Sequence, residues 1–235
     1  MERKILLLCG ILASLLYVAT DILAATRWHG YSYAAQTVSE LFAIGAPTRS
    51  LVVLRGLAYS VLLIAFGLGV WGSASRKRAL RIAGGLLIAI GVVDLVAPPF
   101  APMHLRGVER TLTDTMHIIL ASVDVIFILL IIGFGTNAFG KRFRLYSIVT
   151  ILIVLVFGTL SGLQGPRIAA NLPTPWVGVT ERTSVFGYML WLIVLAITLL
   201  RVRNGAASDG FGDDELPSIG VVDQAQGNVE RISAH

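Results

Sequence analysis

The chain has 235 residues, 55% of them hydrophobic and only 14% charged, whereas soluble domains carry about 25% charged residues. A water-soluble core at this length cannot absorb that much apolar surface, so the composition excludes an ordinary soluble domain and implies a bilayer. The formal net charge of +5 does not point to nucleic acid: its bases sit in short clusters beside apolar runs, and six acids gather in the tail from Asn204 onward.

Crossing the hydrocarbon core takes about 20 predominantly apolar residues. The first such run, Ile5–Thr26, exceeds the apolar stretch of about 7–15 residues in a signal peptide, and no small-residue cleavage site closes it. It is expected to remain as a span. Cys9, the only cysteine, leaves no intramolecular disulfide and no thiolate metal site. A connection follows in which Ala34, Val38, Leu41, Phe42 and Gly45 share one helical face. This spacing predicts a short amphipathic helix at the interface, stopped by Gly45 and Pro47, either as a lid or as a plain surface helix.

The second and third spans are Leu51–Gly72 and Ala79–Pro98, the latter ended by Pro98-Pro99. A Pro-bearing loop carrying His104, Arg106, Glu109 and Arg110 leads to the fourth span, Leu112–Thr136, and a short basic turn leads to the fifth, Leu145–Gln164. The sixth is Thr183–Leu200, after a loop with Arg167, Glu181 and Arg182. The expected fold class is therefore an all-α, polytopic membrane helix bundle with six transmembrane helices. Residues 1–203 form the membrane domain, and 204–235 form an acidic, disordered cytoplasmic tail. Eleven bases flank one face against six on the other, which orients the chain N-in/C-in, with its longer loops outside, in the plasma membrane.

Ionisable groups inside the spans are costly and face a cavity or a partner. Asp124 falls at the midpoint of its span, while Asp21, Arg55, Asp94 and His117 lie about 8–10 Å outward of their span centres at about 1.5 Å per residue. Asp114 is a turn further out. The inner halves hold no charge except Arg81 at the edge. Such one-sidedness suggests a cup open to the outer surface. On the fourth span Asp114, His117 and Asp124 fall within about 80° of one another. A histidine between two carboxylates can act as a base or ligate a metal.

Each candidate has a plain structural alternative. Thr111-x-x-Asp114 and Thr37-x-x-Glu40 both have capping-box spacing. Asp124 could pair with Arg55, and Arg55 could bridge Asp21 and Asp94 as packing glue. The glycines Gly84, Gly85 and Gly91 let helices approach closely. No H-x-x-x-H or H-E-x-x-H spacing occurs, so the zinc signal is weak.

At Ser39-Glu40-Leu41, followed by Gly45-Ala46-Pro47, with a Pro-rich turn after the third span and His117 one turn into the fourth, the chain resembles the family labelled domain of unknown function 998. These are small, roughly six-span bacterial and archaeal membrane proteins. The resemblance covers Ile5 to about Leu200 and implies the fold and the membrane, without an established chemistry. The seven-span hydrolases of the ceramidase and adiponectin-receptor type hold zinc on several intramembrane histidines, whereas this chain buries only His117. A divalent metal at His117 would thus rest on one evident ligand, and no cofactor is identified.

The functional expectation is a membrane-embedded hydrolase or transferase acting on a lipid-like substrate from the outer leaflet. His117 would be base or ligand, oriented by Asp124 and Asp114, with Asp94 assisting. Asp21, Ser39, Glu40, Arg55, His104 and Arg106 would contact substrate, and rim arginines suit an anionic headgroup. The alternatives are a non-catalytic binder or transporter using the same cup, or an accessory protein whose polar groups only hold the bundle together. Expected partners are membrane lipids and a lipophilic or anionic-headgroup ligand, not nucleic acid.

Overall fold

A computed structural model describes the backbone of residues 2–209 and the side chains of residues 2–202. The helices are α1 (Glu2–Arg27), α2 (Arg49–Ser73), α3 (Arg78–Val96), α4 (Leu112–Gly135), α5 (Lys141–Gly162), the short α6 (Gly165–Ala169) and α7 (Val177–Asp209). No strand occurs among the described residues. Among the described residues, six helices are long and apolar enough to cross a membrane, with α6 continuing the fifth. The protein is a multi-pass, all-α membrane protein. From residue 210 onward, the acidic tail expected from the sequence lies outside the described residues.

Each span turns one face inward and leaves the other to the acyl chains. On α1, Leu7, Ala13 and Ala24 are fully buried, while Ile5, Leu8, Leu12 and Leu15 are about half exposed. The central core joins Leu63, Phe66 and Val70 of α2 to Leu87 of α3, Ile131 and Ile132 of α4, and Trp191, Leu192 and Leu195 of α7. The helices add little hydrophobic driving force against lipid, so close packing and hydrogen bonds hold them together. Two contacts carry that burden. A Cβ on Gly84 would lie 2.6 Å from the Trp71 backbone nitrogen, so α2 and α3 touch main chain to main chain. Deeper in, the indole Nε1 of Trp191 donates to Ser147 Oγ at 2.9 Å, tying α7 to α5.

The three long connections, residues 28–48, 97–111 and 163–176, gather at one end of the bundle, here called the loop face. The opposite end has only short turns, where Lys77 Nζ donates to the Ala138 carbonyl at 2.8 Å. At the loop face the Ile44 N–H donates to the Met103 carbonyl at 2.8 Å, bridging the first and second connections. The Gly178 N–H donates to the Ala34 carbonyl at 2.9 Å, joining the first connection to α7.

Candidate functional site at the loop face

The first connection is not the amphipathic interfacial helix that its spacing predicts. It folds as turns and one short 3-10 helix, Ser39–Phe42, with Val38, Leu41 and Ala43 almost wholly buried. The physical reason is Glu40, which sits on the polar side of the expected helix yet is 0% exposed. A buried carboxylate needs donors, and folding the segment inward supplies them. Thr37 N–H donates to Glu40 Oε2 at 2.7 Å and the Glu40 N–H returns to Thr37 Oγ1 at 3.2 Å, a capping-box exchange. Arg106 then grips the same carboxylate with two prongs, Nε to Oε1 and Nη2 to Oε2, both at 2.7 Å. Burial works against the charge of Glu40, but the Arg106 guanidinium and the Thr37 N–H outweigh it and hold the carboxyl below its usual range.

Arg106 extends this clasp to the third connection, because Nη1 donates to Thr174 Oγ1 at 3.0 Å, and Thr174 in turn donates to the Ala35 carbonyl. Glu40 and Arg106, both expected to contact substrate, are therefore committed to each other.

Asp21 is committed in the same way. Its carboxylate accepts from Arg182 Nε at 2.9 Å and Nη2 at 3.1 Å, and from the Tyr33 hydroxyl at 2.9 Å. Arg182 also donates to the carbonyls of Tyr33 and Gln36, donates to the Tyr31 hydroxyl at 2.7 Å, and lies 3.7 Å over the Tyr33 ring. The neighbouring Glu181 accepts from the Val38 N–H at 2.8 Å. Burial and the bond to Asp21 push the Tyr33 phenol up to about 12. Burial likewise raises the Tyr31 phenol despite the adjacent Arg182. Arg182, expected on the rim, is 3% exposed and lies inside α7, which starts at Val177 rather than Thr183. Charge makes the pair Glu181-Arg182 look like loop, yet pairing with Asp21 neutralises the arginine and lets the helix begin earlier.

The inward face of α4 meets three different partners. Asp114 accepts from the Thr111 N–H at 2.8 Å and the His104 N–H at 2.7 Å, and pairs with His104 Nδ1 at 2.9 Å. Asp114 thus caps α4 and orients His104, not His117. His117 Nε2 instead meets Ser39 Oγ at 3.2 Å, with the Phe42 ring edge-on to the imidazole. Beside this contact a small, partly open pocket of about 40 Å³ is lined by His104, Arg106, Arg110, Asp114, His117 and the apolar Met103, Ile118 and Ile168.

Deeper in the bundle, Asp124 Oδ1 and Arg55 Nε are buried without a hydrogen-bond partner among the described residues. The bridge Arg55–Asp21 that the sequence allowed does not form. Asp21 belongs to Arg182, and the Arg55 guanidinium stacks 4.0 Å over the Tyr17 ring. The single cup thus resolves into separate sets: two clasps and the Ser39–His117 contact beside the pocket, with Asp94 and Asp124 in none of them. Among the described residues, no three His, Cys, Asp or Glu side chains converge as a metal-ligating group.

Compared with known proteins, the chain matches the family model described as Protein of unknown function (DUF998) over residues 11–198, well over half its length. No curated protein and no solved structure matches it.

Proposed function

The chain belongs to the DUF998 family of proteins of unknown function, and from that premise we propose that it is a membrane-embedded hydrolase or transferase. The proposed substrate is lipid-like, carries an ester or comparably activated centre, and enters from the outer leaflet of the plasma membrane. The observation that carries this reading is Ser39 Oγ at 3.2 Å from His117 Nε2, with His117 itself among the residues that line a small hollow at the loop face. A hydroxyl within hydrogen-bond reach of an imidazole is the arrangement by which a weak nucleophile is activated.

In this reading the neutral His117 imidazole takes the Ser39 proton as Oγ forms a bond to the electrophilic centre. It then returns that proton to the departing oxygen. The Arg106–Glu40 clasp fixes the segment carrying Ser39, and the His104–Asp114 pair fixes the N-terminus of the helix carrying His117. Arg110, exposed at the pocket edge, is the cation available to an anionic headgroup, since Arg106 is already engaged.

The test uses the full chain in lipid vesicles and a fluorophosphonate probe. Ser39 displaces fluoride from the phosphorus of this probe, and the adduct is located by peptide mass spectrometry. Adduct on Ser39 is expected in the native protein, none in Ser39→Ala, and labelling slowed at least about 100-fold in His117→Ala. Absence of adduct on Ser39, or unchanged labelling in His117→Ala, would overturn the reading in favour of a non-catalytic binder.

A further inference from the structure

The Ser39–His117 contact uses one of the two histidines that line the pocket; His104 is the other. Its Nδ1 lies 2.9 Å from Asp114 Oδ2. Both Asp114 oxygens already accept from backbone N–H groups, Oδ1 from His104 at 2.7 Å and Oδ2 from Thr111 at 2.8 Å. The carboxylate therefore offers lone pairs, and the proton it shares with the ring belongs to Nδ1. That leaves Nε2 of the neutral imidazole as a lone pair. Nε2 makes no hydrogen bond among the described residues, and it is not one of the side-chain atoms buried without a partner, so water reaches it. His117 is arranged differently: its Nε2 meets Ser39 Oγ, and no carboxylate bonds to its ring among the described residues.

The chain on either side holds His104 beside the segment that presents Ser39. The Met103 carbonyl accepts from the Ile44 N–H at 2.8 Å, and Arg106 grips Glu40 at 2.7 Å. Residues flanking the histidine are thus bonded to residues flanking the serine. The pocket that His104 and His117 both line, about 40 Å³ in volume, has room for more than one water at about 10–15 Å³ each.

We propose that His104, held by Asp114, is the general base for water, which makes the loop-face site a hydrolase whose second step uses a different histidine from its first. This rests on the Ser39–His117 reading. Once Ser39 Oγ carries the acyl group, His117 has already returned its proton to the departing oxygen. A pocket water then forms a bond to the acyl carbon as one of its protons passes to His104 Nε2, and Asp114 stabilises the imidazolium. The bond from carbon to Ser39 Oγ breaks, the proton moves through a second water to Oγ, and the free acid leaves.

The full chain in lipid vesicles, mixed rapidly with p-nitrophenyl decanoate, separates the two steps. The native protein should turn over steadily above the Ser39→Ala baseline. His104→Gln should release about one nitrophenolate per chain in a burst and then slow at least about 100-fold, with the decanoyl group found on Ser39 by peptide mass spectrometry. The burst shows that the variant is folded and that its Ser39 still reacts. Native-like turnover in His104→Gln would overturn the proposal. Loss of burst and turnover together would overturn it too, since His104 would then support the site as a whole rather than its second step. A native protein that releases no nitrophenolate above the baseline would overturn the Ser39–His117 reading itself.

Discussion

Arg182 in the last span holds Asp21 in the first by two hydrogen bonds of 2.9 and 3.1 Å, with both side chains almost completely buried. This clasp joins helices from opposite ends of the chain. Because Arg182 also binds the carbonyls of Tyr33 and Gln36, it fixes the approach to the segment that presents Ser39.

Removing one partner leaves the other charge buried and uncompensated, which costs about 3–5 kcal/mol. Arg182→Gln and Asp21→Asn should each lower the thermal midpoint of the purified protein markedly. The double variant should lose less than the sum of the two, since the residues are in contact. Arg182→Lys should recover only part, because a lysine cannot reproduce the two-pronged grip. Native-like melting of either single variant would show that the clasp does not hold the bundle.

Glu40 should make the loop face sensitive to acid. Its carboxyl titrates below the usual range when folded, so the stability it contributes is complete above its unfolded value of about 4.3. That contribution is lost as pH falls through the lower, folded value. Thermal midpoints measured across acidic pH should fall steeply for the native protein. Glu40→Gln should start lower at neutral pH and show a flatter acid limb. Parallel curves would mean that Glu40 contributes nothing to the acid response.

Gly178→Ala should separate α7 from the first connection. A Cβ there would collide with the carbonyl oxygens of Tyr33 and Gln36 and lie 2.8 Å from Arg182 Nη1. The first two obstacles are backbone and cannot swing aside, so a loss of about 1–3 kcal/mol is expected from overpacking. The check is the thermal midpoint together with protease sensitivity at residues 31–42, both of which should worsen together.

Asp114→Ala should loosen the second connection while leaving the bundle intact. It strips an acceptor from the N–H groups of His104 and Thr111, both of which water can partly reach, at about 0.5–1.5 kcal/mol for each hydrogen bond lost. Hydrogen–deuterium exchange should accelerate across residues 103–117 and stay unchanged in α1 and α2. Uniform acceleration would instead mean that Asp114 supports the whole fold.

What the sequence settles by itself is the class of object. Apolar runs of span length, the breaks between them and the crowding of acids into one half of the spans are local properties, written in composition and periodicity. They were enough for six membrane helices, for the family, and for naming Ser39, His117, Asp94 and Asp124 as residues of interest. Partner choice is another matter. Asp21 could have met Arg55 or Arg182, and Asp114 could have oriented His117 or His104; each option is compatible with the same residues in the same order. Only the tertiary structure chose, because burying a charge is tolerable only where another helix brings the complementary group within hydrogen-bond distance. That condition turned Arg182 from a rim residue into a buried one and drew the segment around Glu40 into the mouth of the bundle. No periodicity in residues 31–45 carries that information, since the arginine that stabilises Glu40 lies 66 residues away along the chain.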